Sequence, residues 1–252
     1  MRIARVNGSP KGGKSNSGIL LEKLAPLLED GGCELPLYRV GPKPFGEEQY
    51  RELYTADALV LAFPLYFDGI PSHFLRMMVG MEAWVKRQGT PPAEAPGSRP
   101  LPVYVLVNNG FYEGGQCRTA VSIVRNWCGR CGFRFGMAVG FGAGEMLGSL
   151  EKVPLGRGPL KDLGQALEAL ASAIRTGAAG ESVYLSPNFP RVAWRLAATY
   201  GFWHPQAKKN GLKVKDLKRR PERPQEGERL FPNSKNPAAL QSGRDDSSRM
   251  NG

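Results

Sequence analysis

Apolar segments and segments of helical periodicity alternate along residues 1–180 of the chain. The apolar segments predict five β-strands, RIARVN, CELPLYRV, DALVLAF, VYVLVN and FRFGMAVGFG. The periodic segments predict five helices, SGILLEKLAPLLED, EEQYRELYTA, PSHFLRMMVGMEAWVKRQ, GQCRTAVSIVRNWCGRCG and LKDLGQALEALASAIRTG. Because the strands are too apolar to face water on either side, the pattern indicates an α/β fold with a doubly wound, five-stranded parallel sheet.

The pattern changes after residue 180. Residues 181–230 place apolar side chains at helical spacing, Val192, Leu196 and Tyr200, among many lysines and arginines, and predict a basic amphipathic C-terminal arm. Residues 231–252 are polar and rich in Gly, Ser, Asn and Pro, so we expect a disordered tail there. Residues 1–180 then form one domain, which is long enough to bury its own core.

The formal net charge of +11 is unevenly distributed along the chain. Residues 1–190 contain 20 Lys and Arg against 17 Asp and Glu, whereas residues 191–252 contain 14 against 6. The basic character therefore belongs to the C-terminal part, and we expect no nucleic-acid partner. No apolar run reaches the roughly 18 residues of a membrane-spanning helix, and no secretory signal is evident, so we expect a cytoplasmic protein without an integral membrane segment.

In doubly wound sheets, ligands bind beyond the carboxyl ends of the strands. The loop after the first predicted strand carries hydroxyl, amide and cationic groups just before a helix whose N-terminus favours an anion. Its residues 8–15, GSPKGGKS, also satisfy the P-loop spacing of nucleoside-triphosphate sites. A P-loop needs an acidic residue at a second strand end to anchor magnesium, and LAFPLY and VLVNNG supply none. Phosphate binding is expected in either case, and a P-loop remains an alternative.

Three segments at strand ends resemble the NAD(P)H-dependent FMN reductases and related oxidoreductases of the flavodoxin-like fold. They are NGSPKGGKSNSG, FPLYFDGIPSHFLRMM and VNNGFYEGGQ. The resemblance covers residues 2–148 and continues more loosely into SPNFPRVAWRL. Lys11 stands where the family commonly has Arg, which keeps the positive charge but loses the bidentate fork.

The resemblance implies noncovalent FMN binding, with NADH or NADPH as hydride donor and a quinone, nitro, azo or flavin compound as small-molecule electron acceptor. The flavin would carry the chemistry, so no catalytic side chain and no metal are expected. We call residues 8–17 loop one, residues 64–69 loop two and residues 108–113 loop three. The residues implied to bind the cofactor are Ser9, Lys11, Ser15, Asn16, Ser17, Pro64, Leu65, Tyr66, Phe67, Asp68, Gly69, Asn108, Asn109, Gly110, Phe111 and Glu113.

The resemblance also implies a homodimer, because family members commonly act as dimers with the flavin near the subunit boundary. The C-terminal arm would then reach across the two-fold interface. A terminal helix packed on its own core and, because Lys208 to Arg229 is strongly basic, a membrane-surface helix are alternatives for the arm. A flavodoxin-like electron carrier without nicotinamide activity is an alternative. Such carriers are usually acidic, however, and the predicted core is slightly basic.

Individual residues of loops two and three carry narrower expectations. Gly69 and Gly110 would let the backbone approach the flavin ring closely and adopt positive φ. Asp68 is expected to be a turn residue and Glu113 a helix cap.

Two further motifs have structural interpretations. The segment Cys128-Gly-Arg-Cys131 imitates a redox dithiol, but it follows a helical segment, where the helix dipole disfavours thiolates. The segment GFGAGE, residues 140–145, lacks the following helix of a dinucleotide fingerprint, and we interpret it as a loop at the rim of the flavin site.

Overall fold

A computed structural model of the chain describes residues 1–11, 13–29, 32–89 and 100–220. Within these ranges, six strands form one sheet in which all neighbouring strands are parallel. They are β1 (Ile3–Asn7), β2 (Leu37–Arg39), β3 (Ala58–Pro64), β4 (Pro102–Asn108), β5 (Arg134–Phe141) and β6 (Val183–Leu185). Their order across the sheet is β2-β1-β3-β4-β5-β6, so the strand order reverses between β1 and β3. The first five strands have the flavodoxin-like order.

The helices follow the predicted pattern. They are α1 (Asn16–Glu29), α2 (Glu47–Tyr54), α3 (Ser72–Arg87), α4 (Arg118–Cys131), α5 (Lys161–Thr176), α6 (Arg191–Ala197) and α7 (His204–Lys209). The five helical segments predicted for residues 1–180 correspond to α1 to α5, with bounds that differ by at most a few residues. No helix among the described residues is long and apolar enough to cross a bilayer.

Two hydrophobic cores cover the two faces of the sheet. In β3, Leu59, Leu61 and Phe63 enter the core formed with α2, α3 and α4. The alternate residues of the same strand, from Ala58 to Ala62, enter the core formed with α1 and α5. Because successive side chains of a strand point to opposite faces, a strand buried on both sides must be apolar throughout. This arrangement confirms the predicted α/β fold with a parallel sheet.

The predicted number of five strands was wrong, because β6 adds a sixth. It pairs with β5 at the edge of the sheet, with Val139 opposite Val183 and Phe141 opposite Leu185. The strand lies within residues 181–230, which the sequence assigned to the C-terminal arm. Only three half-buried residues form it. They lie in the short segment ESVYLS between Gly180 and Pro187, in which a period of two cannot be detected.

The chain divides into two compact units, Met1–Arg195 and Leu196–Gly252. In the second unit, a π-helical segment, Ala198–Trp203, leads into α7, and a short 3-10 helix, Val214–Lys218, follows. Residues 221–230 of the predicted arm and the predicted disordered tail, residues 231–252, lie outside the described residues.

Candidate functional site

The carboxyl ends of β1, β3 and β4 bring the three predicted loops together around one recess. It lies at the β1/β3 reversal of strand order, where flavodoxin-like sheets bind their ligands. The recess holds about 380 Å³ of space including its open mouth. Its lining comprises Ser9, Lys11, Asn16, Ser17, Pro64, Leu65, Tyr66, Asn108, Asn109, Gly110 and Glu145.

Buried polar side chains concentrate around this recess. Among the described residues, seven polar or charged residues are buried, and only Glu82 lies elsewhere, on α3. We call the other six the polar floor: Asn7, Ser9, Ser15, Ser17, Asn108 and Asn109. Burial of a polar group costs free energy unless the group is hydrogen-bonded. Six buried polar side chains at the carboxyl ends of the strands therefore require an internal hydrogen-bond network or a ligand.

Asn7 and Ser15 hold loop one between β1 and α1. The side-chain oxygen of Asn7 accepts a hydrogen bond from the backbone N–H of Ser9 at 3.0 Å, and its Nδ2 donates to Ser15 Oγ at 3.3 Å. Ser15 Oγ also accepts from the backbone N–H of Gly18 at 3.1 Å, which caps the N-terminus of α1. Ser15 therefore supports the loop and does not line the recess.

The P-loop spacing has a structural explanation in the described part of loop one. In a P-loop, the Lys binds phosphate and the following hydroxyl binds magnesium. Here Lys14 instead forms an ion pair with Glu151, and Ser15 caps α1. Gly12, within the same segment, lies outside the described residues. Within the described ranges, no group of three or more His, Cys, Asp or Glu side chains is arranged to hold a metal ion.

Asn108 connects all three loops. Its side-chain oxygen accepts a hydrogen bond of 2.7 Å from Ser17 Oγ in loop one, and its backbone oxygen accepts one of 2.8 Å from Leu65 N in loop two. It is the last residue of β4, so the sheet fixes its position. Asn108, a residue of loop three, thus bonds to loop one through its side chain and to loop two through its backbone.

Asn109 contains an unused hydrogen-bond acceptor. Its Nδ2 donates to the backbone oxygen of Glu113 at 3.1 Å and to Cys117 Sγ at 3.2 Å. Its Oδ1 is buried and has no hydrogen-bond partner among the described residues. A buried unpaired acceptor costs about 1–3 kcal/mol. Because Asn109 lines the recess, this unpaired oxygen lies close to the space that a ligand would enter.

Loop two ends in a strained turn. Tyr66 and Gly69 exchange backbone hydrogen bonds of 3.1 and 3.0 Å, and the two central residues both have positive φ, 47° for Phe67 and 60° for Asp68. This is the φ pattern of a type I′ turn, which normally takes Asn-Gly. Gly69 and Gly110, which would permit positive φ, do not adopt it, and in loop two the positive φ values belong to Phe67 and Asp68. The side chain of Phe67 is fully exposed.

Ten of the sixteen predicted site residues line the recess, and six do not. Ser15, Phe67, Asp68 and Gly69 serve the cap and the turn described above. Phe111 is exposed, and its backbone oxygen accepts a hydrogen bond from Ala143 N. Glu113 precedes a 3-10 turn, Gly114–Cys117, but its side chain makes no capping bond. It pairs instead with Arg191 at 2.9 Å, so the predicted helix cap was wrong.

Two residues of the site were missed by the sequence analysis. Glu145 lines the recess from a 3-10 turn, Gly144–Met146, and the interpretation of residues 140–145 as a rim loop was the signal for it. Asn7 orders loop one from the end of β1. Its signal was weaker: a polar residue that ends an apolar strand and directly precedes a glycine-rich loop.

Strand β6 and the segment after it support loop three. Gly142 N donates to the backbone oxygen of Leu185 at 2.8 Å, and the hydroxyl of Tyr112 donates to the backbone oxygen of Phe189 at 2.6 Å. A Cβ at Gly114 would lie 2.3 Å from the Leu185 oxygen, a distance that no side chain tolerates. The missed strand is therefore part of the framework of the site.

The cysteine pair Cys128 and Cys131 is structural. Both thiols are free and buried at the end of α4, which Gly132 terminates with φ 68°. Burial raises the pKa of both thiols, that of Cys131 to about 12, so neither is a thiolate near neutral pH. Cys117, beside Asn109, is also buried, and its pKa is raised to about 11. These surroundings are the opposite of a reactive dithiol.

Known proteins resemble this chain in fold but not in sequence. No protein-family model and no curated protein matches it. A flavone reductase structure has a TM-score of 0.50 at 10% identity, over 72% of this chain and 66% of the other. An NADH:FMN oxidoreductase in its apo form has 0.49 at 14% identity, over 77% and 98%. An NADPH-quinone reductase from P. pentosaceus has 0.47 at 14% identity, over 69% and 96%.

The flavone reductase match is consistent with the predicted resemblance to FMN reductase-like proteins of the flavodoxin-like fold. At 10% identity, this match establishes the fold alone, and the chain spans 66% of that protein's length. The strand order leads to the same fold independently.

Proposed function

We propose that this protein binds FMN noncovalently in the recess and works as an NAD(P)H-dependent oxidoreductase with a small-molecule acceptor. The observation that carries the proposal is the polar floor with its unpaired acceptor, Asn109 Oδ1. It lies at the carboxyl ends of the central strands, where the strand order of this flavodoxin-like sheet reverses. Flavodoxin-like proteins hold FMN at these carboxyl ends. The shared fold with a flavone reductase gives the proposal further support.

The residues of loop one fit a phosphate group. The hydroxyls of Ser15 and Ser17 are engaged in the cap and in the bond to Asn108, which leaves Ser9, Asn16 and Lys11 as side-chain donors in the lining. The first backbone N–H groups of α1 lack partners within the helix and carry its positive dipole end. An exposed lysine, hydroxyl and amide groups and a helix N-terminus together match a terminal phosphate.

The residues of loops two and three fit the edge of a flat heteroaromatic ring. Asn109 Oδ1 is the acceptor that we assign to a ring N–H, because no described residue donates to it. Pro64, Leu65 and Tyr66 also line the recess. At Gly110, an added Cβ would meet no protein atom within 4 Å, so there is open space beside the backbone. These groups bind and orient, and no side chain is required to transfer a proton.

Bound FMN would supply the redox chemistry, accepting a hydride from NADH or NADPH and passing electrons to a quinone, nitro, azo or flavin compound. The chain's own contribution is to hold the ring against the buried amides while one face stays open. Tyr66, about half exposed, lies at that open side. Burial keeps the pKa of Cys117 raised, so the thiol beside Asn109 stays neutral and does not compete as a nucleophile.

The test uses the purified full-length chain. We expect flavin absorption bands that persist when magnesium is chelated, and bleaching by NADH or NADPH under anaerobic conditions. At about 100 times its dissociation constant, FMN should add about 2.7 kcal/mol to the free energy of unfolding. Flavin bands without bleaching by either nicotinamide would indicate an electron carrier. A colourless protein that binds ATP only with magnesium would overturn the proposal.

A matched pair of lysine variants sharpens the assignment of the phosphate. We expect Lys11→Gln to weaken FMN binding about 3- to 10-fold, as loss of a partly exposed charge-assisted contact should. Binding of riboflavin, which lacks the phosphate, should not change. Lys161→Gln, an exposed lysine at the start of α5 outside the recess, is the control and should affect neither ligand. Equal losses of FMN and riboflavin affinity in Lys11→Gln would contradict the orientation.

A further inference from the structure

The second unit of the chain contains an open groove that the flavin proposal does not use. It holds about 1320 Å³ of space including its open mouth, and we call it the C-terminal groove. The π-helical segment and α7 form one wall, and the 3-10 helix Val214–Lys218 forms the other. Its lining is Thr199, Tyr200, Trp203, His204, Val214, Lys215, Leu217 and Lys218. The groove thus has an aromatic and aliphatic interior with lysines along one wall.

A helix-ending turn builds this groove. Gly211, with φ 71°, follows α7, and its backbone N–H donates to Lys208 O at 3.0 Å. Leu212 N donates to Ala207 O at 2.9 Å, which completes a Schellman motif. The motif reverses the chain, and Asp216 then accepts a hydrogen bond of 2.9 Å from Lys213 N to start the 3-10 helix. The groove is therefore a defined local structure.

The apolar side chains of this unit are unusually exposed. Tyr200 is 65% exposed, Trp203 55% and Leu196 53%. Four more large apolar side chains are also exposed, Phe202, Leu212, Val214 and Leu217. So many large apolar groups in one short segment form a patch that soluble proteins rarely leave facing water. Such a patch indicates a partner that offers apolar material.

The charge of the same segment defines the sign of that partner. Residues 196–220 contain seven Lys and Arg, Lys208, Lys209, Lys213, Lys215, Lys218, Arg219 and Arg220, against one acid, Asp216. The seven cations are exposed, whereas Asp216 is half-buried and bonded to the backbone of Lys213. This excess of positive charge attracts an anionic surface.

We propose that residues 196–220 dock on the surface of an anionic phospholipid bilayer. Trp, Tyr, Phe and Leu beside a row of lysines match the boundary between acyl chains and acidic headgroups, where aromatic rings insert and lysines reach the phosphates. A second copy docking unit against unit would bring two such positive charges together, so the homodimer implied by the resemblance fits this surface less well. Nucleic acid would leave the aliphatic groups without a match.

The experiment is co-sedimentation of the full-length protein with two kinds of vesicle, phosphatidylcholine alone and phosphatidylcholine mixed with phosphatidylglycerol. We expect binding to the mixed vesicles only, weaker at high salt because the charge attraction is screened. Trp203 fluorescence should shift to the blue in a variant in which the other three tryptophans, Trp84, Trp127 and Trp194, are Phe.

Variants separate the charge from the apolar contribution. Replacing Lys213, Lys215 and Lys218 by Gln should lower the partition coefficient about 100-fold, at the size expected for three juxtamembrane lysines. Trp203→Ser should lower it about 10-fold. The matched control replaces Lys152, Arg157 and Lys161, exposed cations of the first unit, by Gln and should change it less than about 2-fold. Thermal unfolding checks that each variant is folded.

Four outcomes would overturn the proposal. One is failure of the folded wild-type protein to bind mixed vesicles at low salt. Another is an equal loss of binding in the control triple variant, which would mean attraction by overall charge alone. The third is a dimer that Trp203→Ser dissociates while vesicles go unbound, which would assign the surface to a second copy. Binding to duplex DNA without vesicle binding would also exclude a lipid partner.

Discussion

The two buried polar clusters of the first unit differ in how completely they are paired. Glu82, on α3, is enclosed by cations: Arg130 Nε lies 2.9 Å from both carboxylate oxygens, and Lys86 Nζ lies 2.6 Å from Oε1. The polar floor at the recess contains neutral amides and hydroxyls instead, and one of its acceptors, Asn109 Oδ1, is unpaired.

The difference separates a structural cluster from a binding cluster. The ion pair of Glu82 with Arg130 fastens α3 to α4, the pair with Lys86 lies within α3, and both carboxylate oxygens are bonded. The polar floor uses most of its capacity to fix the loops and keeps one buried acceptor free for a donor from outside. Two other buried polar atoms of the described residues, His73 Nε2 and Trp84 Nε1, are also unpaired, so the position of Asn109 in the lining of the recess is what distinguishes its acceptor.

The largest expected effect concerns Asn109. We expect Asn109→Ala to weaken FMN binding about 100-fold, because it removes the acceptor and the bonds that hold loop three. Fluorescence titration of the apoprotein with FMN measures this. Asn188→Ala is the matched control, since that asparagine is exposed and bonded to Asp162. Unchanged FMN affinity in Asn109→Ala would remove the main support for the flavin site.

Removing the carboxylate of Glu82 should reduce stability but not FMN affinity. Its pKa is lowered to about 2 by the hydrogen bonds from Arg130 and Lys86. A pKa lower in the folded than in the unfolded chain stabilises the fold above pH 4.5, the ordinary value, and that stability is lost as the pH falls towards about 2. We expect Glu82→Gln to cost about 1–2 kcal/mol at neutral pH.

The pH dependence gives the check for Glu82. Between pH 5 and pH 3, the melting temperature of Glu82→Gln should fall less than that of the wild type, because the titrating group is gone. Glu47→Gln is the control: this glutamate pairs with Arg87 at 3.4 Å with both side chains exposed, so its loss should matter little. If the melting temperatures of Glu82→Gln and wild type fall equally between pH 5 and pH 3, the cause given for the lowered pKa is contradicted.

A smaller effect, of opposite sign, is expected at the rim. Phe67 has φ 47°, where a non-glycine residue is strained and Asn is better tolerated. Phe67→Asn should therefore stabilise the protein by about 0.5–1 kcal/mol, measured by urea unfolding without ligand. Phe111→Asn, another exposed aromatic of the rim without positive φ, should bring no gain. Destabilisation by Phe67→Asn would mean that the phenyl ring itself holds the turn.

The smallest effect is expected for the cysteine pair. Cys128→Ser and Cys131→Ser should leave nicotinamide turnover within about 2-fold of wild type, because both thiols are buried and their pKa values are raised. Steady-state kinetics with Cys33→Ser, a half-buried cysteine outside the pair, provides the comparison. Abolished turnover in either variant of the pair would restore the dithiol interpretation.

The sequence predicted the elements whose apolar pattern is long. Helices α1 to α5 and strands β1 to β5 follow from periods of 3.6 residues and from apolar runs, and the loops at the ends of β1, β3 and β4 follow from the topology. Strands β2 and β6 each have three residues, but β2 lies in the apolar segment CELPLYRV between two predicted helices, whereas β6 follows the last helix predicted for residues 1–180. The pairing of β6 is set by tertiary contacts with β5 and loop three, which are not encoded locally.

The sequence predicted which segments form the site better than it predicted the role of each residue in them. Hydroxyls near a helix start predicted phosphate binding, yet the sequence could not distinguish Ser15, which caps α1, from Ser9, which lines the recess. The identity of the capping residue depends on where α1 begins, and boundaries are the least certain part of a sequence pattern. Glu113 pairs with Arg191, a distant partner in the sequence that no local rule reveals.

The pairing of Gly142 with Leu185 makes the recess depend on β6, the edge strand of the sheet. Strand β6 has three half-buried residues, so it should open far more often than the rest of the sheet, without global unfolding. The amide proton of Gly142, whose acceptor is the Leu185 oxygen, should then exchange with solvent faster than that of Gly8, bonded to Ala62 between β1 and β3. Native-state hydrogen exchange measures both, and equal protection would contradict this. Opening of the edge strand β6 would thus also loosen loop three, which β6 and the segment after it support.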